Sequence, residues 1–169
     1  MLDWPPDVPF EGAGDALFDR YHDLLWVGRG FRSHHAAAVL LARMLGCTTI
    51  PLDLVDPTFY HLDTCFCPLS GGHLLYYPAA FAEKSRAAIE RLVREDRRIT
   101  VEEADAKKFC CNAIEIAGHV FMNGASRELK RRLRGAGFNP VIAPMSEFMK
   151  SGGGAKCLTL NLDEIHRAS

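Results

Sequence analysis

The sequence predicts an α/β fold built from repeated ββαβ units, and three observations predict it. Short apolar strands at Leu24–Val27, His73–Tyr77 and His119–Met122 begin about 46 to 50 residues apart, a spacing of the size that repeat architectures show. Each of these strands is followed by an amphipathic helical pattern and then by a further strand. Each is also preceded by another apolar or alternating segment.

In the first unit, the alternating segment Asp15–Phe18 precedes Leu24–Val27, Ser33 lies near the start of a helix over about 34–46, and Gly46 stops it before a strand at 48–52. In the second, Leu62–Leu69 precedes His73–Tyr77, a helix over about 79–96 starts near Ala79, and a strand follows at 98–101. In the third, Asn112–Ile116 precedes His119–Met122, and Gly124-Ala125-Ser126 and Gly137 bracket a helix over about 125–136 before a strand at 139–143. One more strand is expected at Lys156–Leu160, at the start of the alternating run Cys157-Leu158-Thr159-Leu160-Asn161-Leu162. A unit of this size cannot bury its sheet alone, so three units and a stub suggest part of a ring. Evenly spaced helices on an ordinary α/β sandwich would give the same pattern, and pattern alone does not decide between them.

A chain of 169 residues with 48% apolar side chains is long enough for one domain with a full core. Twenty Lys and Arg against 21 Asp and Glu give a formal net charge of -1, and the basic residues gather on helix surfaces such as Arg91, Arg94, Arg97 and Arg98. A nucleic-acid footprint is therefore not expected. No apolar run is long enough for a membrane span, and Met1-Leu2-Asp3-Trp4-Pro5-Pro6-Asp7 lacks the basic and apolar segments of a leader. The reading is a cytoplasmic protein with no membrane partner, whose six cysteines are reduced thiols rather than a disulfide framework.

Two segments carry the chemistry. Cys157 follows Ser151-Gly152-Gly153-Gly154-Ala155-Lys156, where glycines would let backbone N–H groups approach a ligand and give a thiolate open access to a flat electrophile. The same cysteine taken alone is more often a small core residue. Lys156-Cys157 lacks the Gly-Lys-Ser/Thr ending of a phosphate loop. His61 and Asp63, two residues apart, would share one face of a strand, giving an imidazole for proton transfer and a carboxylate for a cation. Glu11 and Asp15 sit in the glycine-rich turn Phe10-Glu11-Gly12-Ala13-Gly14-Asp15, either as site acids or as turn residues. Arg32 could grip a carboxylate with two parallel hydrogen bonds or serve the helix start beside it. Cys65-Phe66-Cys67, Cys110-Cys111 and His34-His35 lack zinc-ligand spacing, so no metal is expected.

Taken in order, Phe10-Glu11-Gly12-Ala13-Gly14-Asp15-Ala16-Leu17, Gly28-Arg29-Gly30-Phe31-Arg32, Phe59-Tyr60-His61-Leu62-Asp63-Thr64 and Gly152-Gly153-Gly154-Ala155-Lys156-Cys157-Leu158-Thr159 resemble the guanidino-modifying enzymes. That group holds dimethylarginine dimethylaminohydrolases, arginine deiminases and amidinotransferases. The resemblance implies the pentein fold, an α/β propeller of five ββαβ blades, of which this chain would supply about three as one partial catalytic domain. It implies Cys157 as nucleophile, His61 as general acid and base, and Glu11 as the carboxylate that holds the guanidinium and assists the histidine. It assigns Asp63, Arg32 and Asp15 to substrate binding, and no cofactor. The family's acidic motif usually reads Glu-Gly-Gly-Asp, whereas three residues separate Glu11 from Asp15 here, leaving open which acid takes the guanidinium. A five-unit ring needs about 225 residues at this period, so N-terminal blades are expected to be missing. The expectation is a hydrolase of arginine-like guanidines; amidino transfer to an amine and a non-catalytic fragment are the alternatives. A second copy or a partner chain would complete the ring.

Overall fold

Leu24-Leu25-Trp26-Val27-Gly28 has no charged side chain, and a strand of that composition belongs between neighbours on both sides. The computed structural model, which describes residues 4–160, places it so. Strand β1 (Ala16–Phe18) runs antiparallel to β2 (Leu24–Arg29), and β3 (Thr48–Asp53) pairs with the other edge of β2 in parallel. A parallel pair needs a crossover, and helix α1 (Ala37–Leu45) supplies it.

The same arrangement occurs twice more. β4 (Phe66–Leu69) is antiparallel to β5 (His73–Tyr76), which is parallel to β6 (Arg98–Thr100) across helix α2 (Glu83–Leu92). A short helix α3 (Glu103–Ala106) leads to β7 (Ile114–Ile116), β8 (His119–Met122), helix α4 (Arg127–Gly135) and β9 (Asn139–Ile142), with identical pairing. Helix α5 (Ser146–Met149) closes the series. The result is an α/β fold of three small mixed sheets, each with its antiparallel strand first in sequence.

Alternation along β2 divides the core. Leu25 and Val27 pack with Ala38 and Leu41 of α1, while Leu24 and Trp26 face the larger cluster that runs through all three units to Leu133 and Phe138. The Trp26 and Phe66 rings, from adjacent units, lie 5.2 Å apart. Each fully buried side chain of this size contributes about 1.5–3 kcal/mol, so the units are held mainly by their shared apolar faces. The first strands β1, β4 and β7 line one cavity of about 160 Å³, with Leu17, Phe66 and Ile114 on its wall and Asp63 at its border.

Most expected elements are present with trimmed ends. The helix expected over 34–46 begins at Ala37, because Ala36 and Ala37 first turn onto His34. The helix expected over 79–96 is α2 alone, since Pro78–Ala80 and Glu95–Arg97 are separate single turns and Phe81 is extended, bridging to Leu54. Ser126 does start α4, its hydroxyl accepting from Leu129 N–H at 3.1 Å.

Two expectations fail where site residues lie. Leu62–Leu69 is not one strand: Leu62–Thr64 forms a single 3-10 turn before β4. Lys156–Leu160 is not a strand either. Its Lys156 and Cys157 N–H groups are taken by the Asn112 side-chain oxygen at 3.1 and 3.4 Å, and Thr159 turns back on Ala155 and Lys156. Asn161 and Leu162, the rest of that run, lie outside the described residues. No helix among the described residues is long and apolar enough to cross a membrane.

Candidate active site

The 3-10 turn is what positions the site. His61 is extended and precedes the turn, and Asp63 sits inside it, so the two do not share a strand face as the spacing predicts. Asp63 is instead buried and its Oδ2 accepts from the Cys157 thiol, 3.6 Å away. Its Oδ1 is buried without a hydrogen-bond partner, a costly state for a carboxylate unless a ligand supplies the donor. Burial pushes the Asp63 carboxyl up to about 6 against the pull of His61 and of the thiol hydrogen bond. For the thiol, burial and then the Asp63 charge push the Cys157 pKa up.

His61 pairs with a different carboxylate. Its Nε2 meets Glu11 Oε2 at 2.5 Å, and the other Glu11 oxygen accepts from Arg32 at 3.3 Å. The hydrogen bond from His61, followed by the charges of His61 and Arg32, outweighs slight burial and holds the Glu11 carboxyl below its usual value. The Arg32 guanidinium lies 5.4 Å above the Tyr60 ring, and Tyr60 donates to the Gly152 carbonyl at 2.8 Å. Tyr60 thus ties the exposed ion cluster to the cysteine loop.

Asp15 is not turned to this opening. It is buried, with Oδ1 accepting from Leu62 N–H at 2.9 Å and Oδ2 from Ser33 Oγ at 2.7 Å, while Ser33 Oγ accepts from Glu11 N–H at 3.2 Å. One carboxylate therefore braces the backbone beside Glu11 and the backbone beside His61. Gly28 makes room for this: a Cβ there would lie 2.7 Å from both Asp15 Oδ1 and Leu62 Cβ. Burial raises the Asp15 pKa, the Ser33 and Leu62 hydrogen bonds opposing it.

The glycine loop has a similar packing reason. A Cβ on Gly152 would come within 2.3 Å of the Tyr60 hydroxyl and one on Gly154 within 2.6 Å of Asn112 Oδ1. The glycines let two side chains hold the loop closely. Each cysteine is a free thiol, and Cys157 is exposed while the other five are buried. Burial raises Cys67 to about 12 and Cys65 and Cys111 well above the ordinary thiol value, so they are poor nucleophiles. Among the described residues no His, Cys, Asp and Glu gather as a metal site.

A family profile described as N,N dimethylarginine dimethylhydrolase, eukaryotic, matches residues 6–164. The chain belongs to this dimethylarginine dimethylhydrolase family. It is 52% identical over 164 residues to the bifunctional arginine dihydrolase/ornithine cyclodeaminase ArgZ of Synechocystis sp., covering 97% of this chain and 23% of that protein. It is 38% identical over 156 residues to the dimethylarginine dimethylaminohydrolase of Mycobacterium tuberculosis, covering 92% of this chain and 49% of that one. Among solved structures, the N-terminal domain of ArgZ covalently bound to a reaction intermediate superimposes with a TM-score of 0.91 at 53% identity, over 93% of this chain and 58% of that one. A dimethylarginine dimethylaminohydrolase adduct at 20% identity shares the fold, with a TM-score of 0.69. This member of the family spans about a quarter to a half of the length of those curated relatives.

Sequence reasoning missed three residues of the family member's site. Ser33 is read only as a helix start, Tyr60 only as a neighbour of His61, and Asn112 only as the edge of a strand. Tyr60 and Ser33 at least sit inside the quoted motifs or beside them. Asn112 is 45 positions from Cys157, and nothing local marks it.

Proposed function

We propose that the chain is the catalytic part of a cysteine hydrolase of arginine-like guanidines. The observation that carries this is the buried, unpartnered Asp63 Oδ1 beside a carboxylate oxygen already bonded to the Cys157 thiol. A guanidinium is a flat cation with N–H donors, so it would satisfy that oxygen and lie against the sulfur. In the free site burial and then the Asp63 charge both favour the thiol over the thiolate. A bound cation cancels that charge, and the thiol gives its proton to the His61 imidazole as the thiolate forms.

The sulfur then attacks the guanidinium carbon, forming a C–S bond and a tetrahedral adduct. His61, oriented by Glu11, gives a proton to the departing nitrogen as the C–N bond breaks, leaving an amidino group on Cys157. Water deprotonated by the same imidazole attacks that carbon, the C–S bond breaks, and a ureido product and the free thiol result. Arg32, now paired with Glu11, would exchange that partner for the substrate's carboxylate, and Asp15 acts as the brace under both. No cofactor takes part. The resemblance to arginine dihydrolases and to dimethylarginine dimethylaminohydrolases supports arginine or methylated arginine as the substrate class.

The convergence of β1, β4 and β7 on one cavity supports a second part of the reading: three blades of a five-bladed ring, completed by further units of the same or another chain. Its placement in the cytoplasm rests on the free thiols that the reaction uses. Incubation with arginine and with methylarginines, followed by mass spectrometry of the peptide holding Cys157, tests the chemistry. An amidino adduct on Cys157 is expected, lost in Cys157→Ser and kept in Cys67→Ser and Cys110→Ser. An adduct on another cysteine, or equal loss in all three folded variants, would reject the assignment. Product assayed with an amine acceptor present would separate hydrolysis from amidino transfer.

A further inference from the structure

Asn112 is fully buried, ahead of β7, and every polar atom of its carboxamide is engaged. Oδ1 accepts from Lys156 N–H at 3.1 Å and from Cys157 N–H at 3.4 Å. Two N–H donors on that side fix which way the amide faces. The NH2 group must then point to the opposite side, where it donates to Cys157 Sγ at 3.2 Å and to the Asp63 carbonyl at 3.3 Å. We propose that Asn112 is a positioning residue for Cys157, one carboxamide holding the cysteine's backbone with its oxygen and the cysteine's sulfur with its N–H.

This role rests on the reading of Cys157 as the nucleophile and goes beyond it. A planar amide that grips both ends of one residue leaves the Cys157 side chain little freedom to rotate, and the second N–H ties the same amide to the turn bearing Asp63. An N–H donor on sulfur favours the thiolate over the thiol. It opposes burial and the Asp63 carboxylate, both of which favour the thiol. The other titratable neighbours are Tyr60, whose ionisation burial and then the Cys157 and Asp63 charges disfavour, Lys156 in the cysteine loop, and His61, Glu11 and Arg32. The Gly154 backbone N–H also favours the thiolate, but it stays in place when the Asn112 side chain is changed, so a substitution at Asn112 isolates the side chain's share.

The test is the pH dependence of Cys157 alkylation by iodoacetamide, read by mass spectrometry of the Cys157 peptide and needing no turnover. Asn112→Ala removes the donor and adds no charge. Its alkylation midpoint is expected to rise by about one pH unit, and Asn112→Ser, whose hydroxyl can still donate, should fall between it and the parent. A midpoint unmoved in both folded variants, with only the melting temperature lowered, would overturn the proposal and reduce Asn112 to a loop anchor. Should the variants not fold, the unaltered chain serves: the Asn112 side-chain amide resonance is expected to shift with pH at the Cys157 midpoint and to lose that transition in Cys157→Ala. A resonance that ignores pH, or titrates unchanged in Cys157→Ala, would overturn it as well. Neither readout depends on a guanidine substrate, so failure here and failure of the hydrolase reading are separable.

Discussion

Asp63 and Glu11 are two carboxylates of one site, and their surroundings move them in opposite directions. Asp63 is buried against Cys157 and rises to about 6, while Glu11, half-exposed between His61 and Arg32, falls below its ordinary value. The difference is burial for Asp63 and partners for Glu11, whose hydrogen bond from His61 outweighs its slight burial. Where water is excluded, a lone carboxylate and a thiol both prefer to be neutral, and a cationic ligand gains most by entering. Where water remains, charges are already paired and cheaply re-paired. In the proposed reaction the buried half would drive capture of the cation, and the exposed half would supply the movable proton and the movable cation.

Asp63→Asn breaks the buried half and is expected to have the largest effect. Losing the charged partner should weaken use of a guanidine by about a hundredfold, the scale of a buried hydrogen bond to a charged group. The same change should stabilise the chain. Protonated Asp63 is the form that burial favours, so the folded state's advantage is whole below the ordinary value of 3.8 and is lost as pH rises through about 6. Asn carries no charge at any of these pH values. Denaturant unfolding at pH 8 should therefore show Asp63→Asn more stable than the parent by about 3 kcal/mol, and the gap should close below about pH 4. A variant less stable than the parent at pH 8 would show that Asp63 is not held at an unfavourable charge.

Gly154→Ala tests the coupling of the buried half to its loop. The new Cβ would meet Asn112 Oδ1 at 2.6 Å, and that oxygen is held by two N–H groups, so overpacking of about 1–3 kcal/mol is expected with slower alkylation of Cys157. Gly153→Ala, whose Cβ would meet nothing nearer than 3.8 Å, should be close to neutral. Equal effects of the two substitutions in thermal unfolding would mean that the loop needs flexibility rather than close approach.

The sequence carries the repeat well and the site unevenly, for physical reasons visible in particular residues. Strands such as His119–Met122 are marked by their own apolar composition, and Ser126 by the capping geometry its hydroxyl can satisfy. Cys157, His61, Glu11 and Asp63 stand in local motifs, which a reader of the chain can compare with known families. What the motifs cannot carry is how side chains meet across units. The strand expected for His61 and Asp63 is a 3-10 turn because its N–H groups bond to Asp15 and within the turn itself, and the strand expected at Lys156–Leu160 is held by Asn112. Period-two spacing contains no term for such long-range partners. The partners of Asp15 are hidden for the same reason, since only the packed structure shows Ser33 and Leu62 N–H occupying its two oxygens.

The exposed half should yield the smallest effect, and its smallness is informative. Glu11 and Arg32 are 3.3 Å apart with side chains 41% and 52% exposed, and pairs in such surroundings contribute about 0.2–1 kcal/mol. In a double-mutant cycle of Glu11→Gln and Arg32→Ala, the coupling in unfolding free energy is expected near the bottom of that range. It should vanish in about 1 M salt, where the screening length is about 3 Å. Activity should respond differently: Arg32→Ala is expected to raise KM for an arginine-like substrate with little change in kcat, and to matter far less for a guanidine lacking a carboxylate. A stability coupling above about 1 kcal/mol that survives high salt would mean that the Arg32–Glu11 pair is a fixed strut. Arg32 would then be unable to change partners when a substrate arrives, and the contrast between a tense buried half and an exchangeable exposed half would fail at its second term.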